Sequence, residues 1–193
     1  MKYALISVHD KTGIIYFAQE LVKLGFEIIA TEGTFNTLKK AGVTAIKHVS
    51  DITGFSEMLD GRIKTEHPKL IAAILALRNN KEHLQKLKQL GIRPIDLVVC
   101  NLHPIYYSRI KQIDMDSYLD GIDIGGPNMI RAAAKNFTNI TIIVNSKKYN
   151  EVLNEYKEKG EVSIKTKKKL AIEAFKETSL YDSEIYKFLE STR

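Results

Sequence analysis

Three polar segments bring hydroxyls, glycines and cations together at spacings that suit chemistry. His9-Asp-Lys-Thr-Gly13 and Thr31-Glu-Gly-Thr34 each combine these groups with the expected start of a helix. Those are the parts needed to hold a phosphate through backbone N–H groups and a cation such as Lys11. Neither segment matches the Gly-x-x-x-x-Gly-Lys-Ser/Thr or the Gly-x-Gly-x-x-Gly pattern, so the pair points to a monophosphate rather than a triphosphate or dinucleotide. Turn-and-cap duty would explain either one alone. The third segment, Arg62-Ile-Lys-Thr-Glu-His67, crowds Arg62, Lys64, Thr65 and His67 into one loop whose exit Pro68 stiffens. Such a loop suits a ligand rich in oxygen and nitrogen, and a solvent-exposed loop would read the same way. His67 has the chemistry of a general acid or base. With His9 and His103 it lacks the carboxylate spacing of a metal site, so no metal is expected.

A fourth stretch, Ile122-Asp-Ile-Gly-Gly-Pro-Asn-Met-Ile-Arg-Ala-Ala-Ala-Lys-Asn136, organises the rest. It reads as a turn feeding a helix with Pro127 at its first position. Asp123 then precedes the helix and Lys135 lies roughly two turns inside it, on the same face as Arg131. The free N–H groups and partial positive charge of such a helix start favour an anionic or oxygen-rich ligand. A capped surface helix would show the same pattern.

The elements that must position these residues alternate. Tyr3–Val8, Phe26–Ala30, Ala45–Val49, Ile95–Cys100 and Ile140–Val144 read as strands. Helical spacing appears at Ile14–Leu24, after Thr34 through Lys40, at Glu82–Leu90 and Asp116–Leu119, and over about 147–159 and 164–190. Gly54–Leu59 reads as a helical turn and Asp60–Pro68 as a loop. Leu70–Leu77 is apolar throughout, which leaves helix and buried strand both open. A tyrosine-containing loop follows Asn101-Leu-His-Pro104. Alternation of this kind predicts an α/β fold with a mostly parallel sheet, in which ligands bind at the carboxyl ends of the strands, so the polar loops should converge on one edge. A chain of 193 residues, 44% hydrophobic, fits a single domain spanning 1–193. No run approaches the roughly 20 apolar residues of a membrane span, and no signal-peptide pattern opens the chain, so a cytoplasmic protein with no membrane partner is expected. The single cysteine, Cys100, excludes an internal disulfide and reads as a buried thiol. The net charge of +6 suits anionic partners. Its C-terminal share, Lys165 and Lys167 to Lys169, reads as a solvated helix face, and no pattern for nucleic-acid readout is present.

Taken together, Ile6-Ser-Val-His-Asp-Lys-Thr-Gly13, Ala30–Thr34, Thr53–Lys69, Ile95–Pro104, Ile122–Asn136 and Leu170–Asp182 closely resemble the IMP cyclohydrolase domain of the bifunctional AICAR transformylase/IMP cyclohydrolase family. The resemblance implies a three-layer, methylglyoxal-synthase-like fold. It implies closure of the second purine ring, from 5-formamido-1-(5-phosphoribosyl)imidazole-4-carboxamide (formylated AICAR) to IMP and water. It implies no cofactor and a homodimer, with Leu70–Leu77 as a possible contact. A chain of this length has no room for the transformylase domain, so a stand-alone cyclohydrolase served by a separate formylating enzyme is expected. By position, the resemblance assigns catalysis to Lys64, His103, Asp123 and Lys135. It assigns substrate binding to His9, Asp10, Lys11 and Thr12; to Thr31, Glu32, Gly33 and Thr34; to Arg62, Ile63 and Thr65; to Cys100 and Asn101; and to Ile124 and Gly125.

The chain departs from the family at several of these positions. The family usually has serine at His9, glycine at Glu32, tyrosine at His103, and His-Gly-Gly or His-Ala-Gly at Ile71-Ala-Ala73. A carboxylate beside a phosphate repels it, so Glu32 is expected to point away and offer only its backbone N–H. Two competing readings follow from the same motifs. One is a methylglyoxal synthase on the same fold; Arg-x-Lys-Thr and Asp-Ile-Gly-Gly fit the cyclohydrolase better. The other is a non-catalytic nucleotide-binding module like the regulatory domain of carbamoyl-phosphate synthetase, against which the retained Lys64, Asp123 and Lys135 argue.

Overall fold

The structure, a computed structural model, describes residues 1–103 and 114–191. The tyrosine-containing loop expected after Asn101, with Pro104, lies outside the described residues. Among those described, five strands form one sheet: β1 (Lys2–Val8), β2 (Phe26–Ala30), β3 (Ile46–His48), β4 (Leu97–Asn101) and β5 (Thr141–Ile143). Their order is β3-β2-β1-β4-β5 and every pairing is parallel. Ala4 aligns with Ile28 on one side and Leu97 on the other. Helices cover both faces, and this is why the strands are nearly continuous apolar runs rather than alternating ones. Leu5, Ile6, Ile28, Ile29, Val98 and Ile142 are fully buried.

Helix α1 (Ile14–Lys23) buries Ile14, Phe17, Ala18 and Leu21, the i, i+3, i+4, i+7 stripe of an amphipathic helix. Phe17 stacks on Tyr149 of α8 (Tyr149–Lys159) at 4.2 Å between ring centres. Helix α2 (Glu32–Lys40) starts earlier than its sequence suggests. Thr31 is extended and serves as N-cap, so Glu32, Gly33 and Thr34 form the first turn. The helical turn expected at Gly54–Leu59 is replaced by helix α3 (Val49–Thr53), which begins on a capping box between His48 and Asp51. Gly54 ends it in the left-handed conformation, φ 79°, which a residue with a side chain adopts only at a cost. The ambiguous apolar run is helix α4 (Pro68–Leu75). Pro68 at its start explains the choice, since proline fits the first turn and cannot donate within a central strand. Leu70, Ala73, Ile74 and Ala76 lie inside this chain's own core, so half of the run is not free to meet a partner.

Helices α5 (Lys81–Gln89) and α6 (Met115–Asp120) precede the organising helix, α7 (Gly125–Lys135). Pro127 is its third residue rather than its first, because Gly125 and Gly126 already belong to it. The apolar face of α7, Met129, Ile130 and Ala132 to Ala134, is buried. It packs against β4, β5 and the 28-residue α9 (Ile164–Ser191). Asn136, just past α7, donates to Ile74 O at 2.7 Å and to Ala76 O at 3.3 Å, anchoring this helix to α4. The sheet reverses its chain order between β1 and β4. At such a reversal the loops that leave neighbouring strands diverge and open a crevice at the carboxyl edge.

Candidate active site at the carboxyl edge of the sheet

A cavity of about 800 Å³ occupies that crevice, within the size range of small-molecule sites. One wall is the β1 exit with the first turn of α2: Ser7, Val8, His9, Thr31, Glu32 and Gly33. Another is the loop Asp60–Glu66 with Glu57. The third runs from Asn101 and His103 to Leu119–Gly126 and Met129.

One end of the cavity is built from α2. Thr31 Oγ1 donates to Ser7 Oγ at 3.0 Å. Thr34 is buried, its hydroxyl accepting from Val8 N–H at 3.2 Å and facing Val8 O at 3.3 Å. The helix start is thereby fixed to the end of β1, and its first N–H groups, which no helical carbonyl reaches, open onto the cavity. Glu32 behaves as its chemistry requires: its carboxylate accepts from Asn36 Nδ2 at 2.6 Å and lies 3.0 Å from His48 Nε2. The negative charge is drawn along the helix flank, and the backbone is left at the cavity.

The β1 exit loop is held by Asn101. Its Oδ1 accepts from His9 N–H at 2.6 Å and Asp10 N–H at 3.0 Å, and its Nδ2 donates to Asp10 O at 3.0 Å. Asn101 lines the cavity, but these bonds commit its amide to the loop rather than to a ligand. Asp10 accepts from the N–H and hydroxyl of Thr12, which hold its carboxyl below the ordinary value. Lys11 donates to Val8 O, and burial lowers the proton affinity of its amine. His9 meets His103 edge to face, ring centres 4.2 Å apart. Partial burial, with His103 and Lys11 beside it, holds His9 below the usual imidazole value.

At the opposite end Asp123 caps the start of α7. Its Oδ1 accepts Gly126 N–H at 2.8 Å, and its own N–H donates to Tyr181 Oη of α9 at 2.7 Å. Burial raises its pKa above the ordinary carboxylate value; Glu66 adds to the rise, while the Gly126 N–H, His103 and Lys64 oppose it. Lys64 is half-exposed on the facing loop, its Nζ 3.6 Å from Glu57. Arg62 pairs with Asp120 across the mouth.

Twelve of the residues singled out from sequence line this cavity: His9, Thr31, Glu32, Gly33, Arg62, Lys64, Thr65, Asn101, His103, Asp123, Ile124 and Gly125. Others do not. Asp10, Lys11, Thr12 and Thr34 form the supporting layer just described. Ile63 is turned into a bridge with Met58. Cys100 is 1% exposed, its Sγ 3.9 Å from Gly126 O, and burial raises its pKa. His67 caps α4, its Nδ1 accepting Lys69 N–H at 3.1 Å. Ile71 packs on the core. Lys135 is the largest displacement. It is exposed in the last turn of α7, ten residues or about 15 Å along the axis from Gly125, so within one chain it does not line the cavity. Glu66 and Tyr181 were missed, because nothing in their local sequence marks either contact.

The model for the MGS-like domain matches residues 13–128, more than half of the chain. This chain belongs to that family. A model described as the AICARFT/IMPCHase bienzyme matches residues 133–193. The bifunctional purine biosynthesis protein PurH of Ruminiclostridium cellulolyticum is 50% identical over 193 residues, all of this chain and 37% of that protein. PurH of Persephonella marina is 51% identical over 182 residues, 94% of this chain and 35% of that protein. The chain thus spans little more than a third of the length of these relatives. The crystal structure of ForH superposes with a TM-score of 0.84 at 32% identity, covering 96% of this chain and 97% of that one. Among the described residues no helix is long and apolar enough to cross a membrane, and no group of three or more potential ligands is placed to hold a metal ion.

Proposed function

We propose that this MGS-like domain is an IMP cyclohydrolase, closing the second purine ring of formylated AICAR. The observation that carries the reading is one continuous cavity with a helix start at one end and Lys64 facing a half-buried carboxylate, Asp123, at the other. The 50% identity to PurH over the whole chain supports it. A ribose 5-phosphate fits the Thr31–Gly33 turn, and the imidazole with its two reacting groups lies towards Asp123.

In the reaction the carboxamide nitrogen attacks the formyl carbon. Asp123 takes the proton this nitrogen gives up, a task favoured by a carboxylate whose proton affinity has been raised. Lys64 stabilises the charge developing on the formyl oxygen and protonates it. As the C–O bond breaks, the protonated Asp123 gives its proton to the departing hydroxyl, which leaves as water, and the formamido nitrogen returns a proton to the neutral Lys64 amine as the new C=N bond forms, so both side chains are restored. Because both groups belong to one molecule, holding them in contact supplies much of the acceleration. Nothing is oxidised or reduced. Lys135 enters this scheme only through a second copy of the chain, the expected homodimer; sedimentation showing a fully active monomer would remove it.

The test is conversion of the formylated ribotide to IMP, followed by ultraviolet absorbance and chromatography. The parent should turn over without added cofactor, and Lys64→Ala should lower kcat by about 100-fold. A parent that binds IMP without turnover would instead be a nucleotide-binding module.

A further inference from the structure

Glu66 stands between the two catalytic elements. One carboxylate oxygen, Oε2, accepts the backbone N–H of Lys64 at 2.7 Å and of Thr65 at 2.9 Å. The other, Oε1, lies against the start of α7: a Cβ placed on Gly125 would come within 2.6 Å of it, and within 2.3 Å of Thr65 Oγ1. A Cβ on Gly126 would come within 2.4 Å of Asp123 Oδ2. The two carboxylates therefore flank consecutive glycines of one helix turn. Two successive N–H groups converging on one oxygen form an anion-holding concavity, and the positive end of α7 favours an anion beside it.

We propose that Glu66 is a positioning residue, which fixes the Lys64–Thr65 backbone against the start of α7 and sets a second negative charge beside Asp123. This rests on the ring-closure reading above. Without the tether the loop carrying Lys64 has no hydrogen bond from this carboxylate, and Glu57, already 3.6 Å from the half-exposed Lys64 amine, is no longer opposed by a fixed backbone. The charge acts on Asp123 directly. Asp123 is faced by Glu66, which raises its proton affinity, and by Lys64, His103 and the Gly126 N–H, which lower it. From behind, the Tyr181 phenol of α9 accepts its backbone N–H and the Cys100 thiol of β4 lies nearby. Of the charged groups, Glu66 is the one that makes Asp123 a better proton acceptor.

Two variants of the full chain separate tether from charge. Glu66→Gln keeps an oxygen that accepts hydrogen bonds and loses the charge; Glu66→Leu loses both. The Asp123 carboxyl is titrated by carbon NMR, assigned with Asp123→Asn, while the Lys64 and Thr65 amides are followed by hydrogen exchange. In Glu66→Gln the Asp123 midpoint should fall, the acid limb of kcat should move to lower pH, and kcat at neutral pH should fall about threefold to tenfold with KM within about twofold. In Glu66→Leu the two amides should exchange at least about tenfold faster and kcat should fall further. Unchanged titration in Glu66→Gln together with unchanged exchange in Glu66→Leu would overturn the proposal. So would faster turnover or tighter IMP binding in either variant, which would make Glu66 an internal competitor for the N–H pair. If the parent shows no turnover, the ring-closure reading falls, while titration and exchange still decide what Glu66 does.

Discussion

Asp123→Asn should lower the rate of ring closure by about 10²–10⁴-fold, measured as kcat at neutral pH, while IMP binding changes by less than about tenfold. The amide keeps the shape and can still accept the Gly126 N–H at the cap. What it loses is the ability to take a proton. The parent's activity should fall with acid through a midpoint above the ordinary aspartate value, because burial and Glu66 raise Asp123. The same shift carries a stability statement of opposite sign. A carboxyl whose pKa is raised by folding favours the native state below its unfolded value, and that contribution is lost as pH rises through the folded value. At neutral pH the ionised Asp123 is therefore a burden on the fold. Asp123→Asn should melt at a higher temperature than the parent at pH 7, with the difference shrinking as the pH is lowered towards 4. A variant that is inactive yet more stable is the expected mark of a strained functional group rather than a structural one. Equal or lower stability at pH 7 would mean that the charge is better solvated than its burial implies.

Gly126→Ala should be the single-methyl change that acts most directly on Asp123. The new Cβ would come within 2.4 Å of Asp123 Oδ2 and 2.6 Å of Leu102 Cδ2, closer than real Cβ contacts. Leu102 is a buried side chain beyond β4, so the carboxylate is the group with room to move. It loses its bond to the Gly126 N–H and turns away from the substrate. The expected cost is about 1–3 kcal/mol of stability and about 100-fold in kcat, since an ångström of misplacement is worth that much in an oriented reaction. Urea unfolding and the absorbance assay read the two effects separately. Unchanged kcat in a folded Gly126→Ala protein would show that Asp123 does not act from the position it holds at the cap.

Much of this site was legible in the sequence because the fold is made of local repeats. A strand, a polar loop and a helix can be read from apolar runs and glycines, and parallel order alone sends the loops after β1, β2 and β4 to one edge. Side-chain direction within the loops was less legible. Thr12 and Asp10 satisfy each other within a turn, and Asn101 bonds the loop from a neighbouring strand about 90 residues further along the chain. Lys135 shows the limit of periodicity: spacing along a helix predicts the face of a residue, while the rise of the helix separates it from the group it was meant to meet. Glu66 and Tyr181 were invisible for a related reason. Tyr181 reaches the site from α9, 58 residues along the chain from Asp123, whereas Glu66 turns back onto the Lys64 and Thr65 N–H groups of its own loop; an ordinary tyrosine on a helix or glutamate in a loop carries no sign of the backbone it will hold. Helix α3 was misplaced because its start depends on a histidine cap, His48, that is not among the usual starting residues.

Cys100 gives this protein a built-in clock. The thiol sits at the reversal of strand order, beneath Gly126 and 1% exposed, with its proton held tightly by burial. A disulfide reagent in solution can reach it only when β4 and the start of α7 part, so the rate of labelling in native buffer counts those openings. With one cysteine in 193 residues, the signal needs no background correction. Slowing of that rate by IMP would weigh, in free energy, how strongly a nucleotide holds the crevice shut.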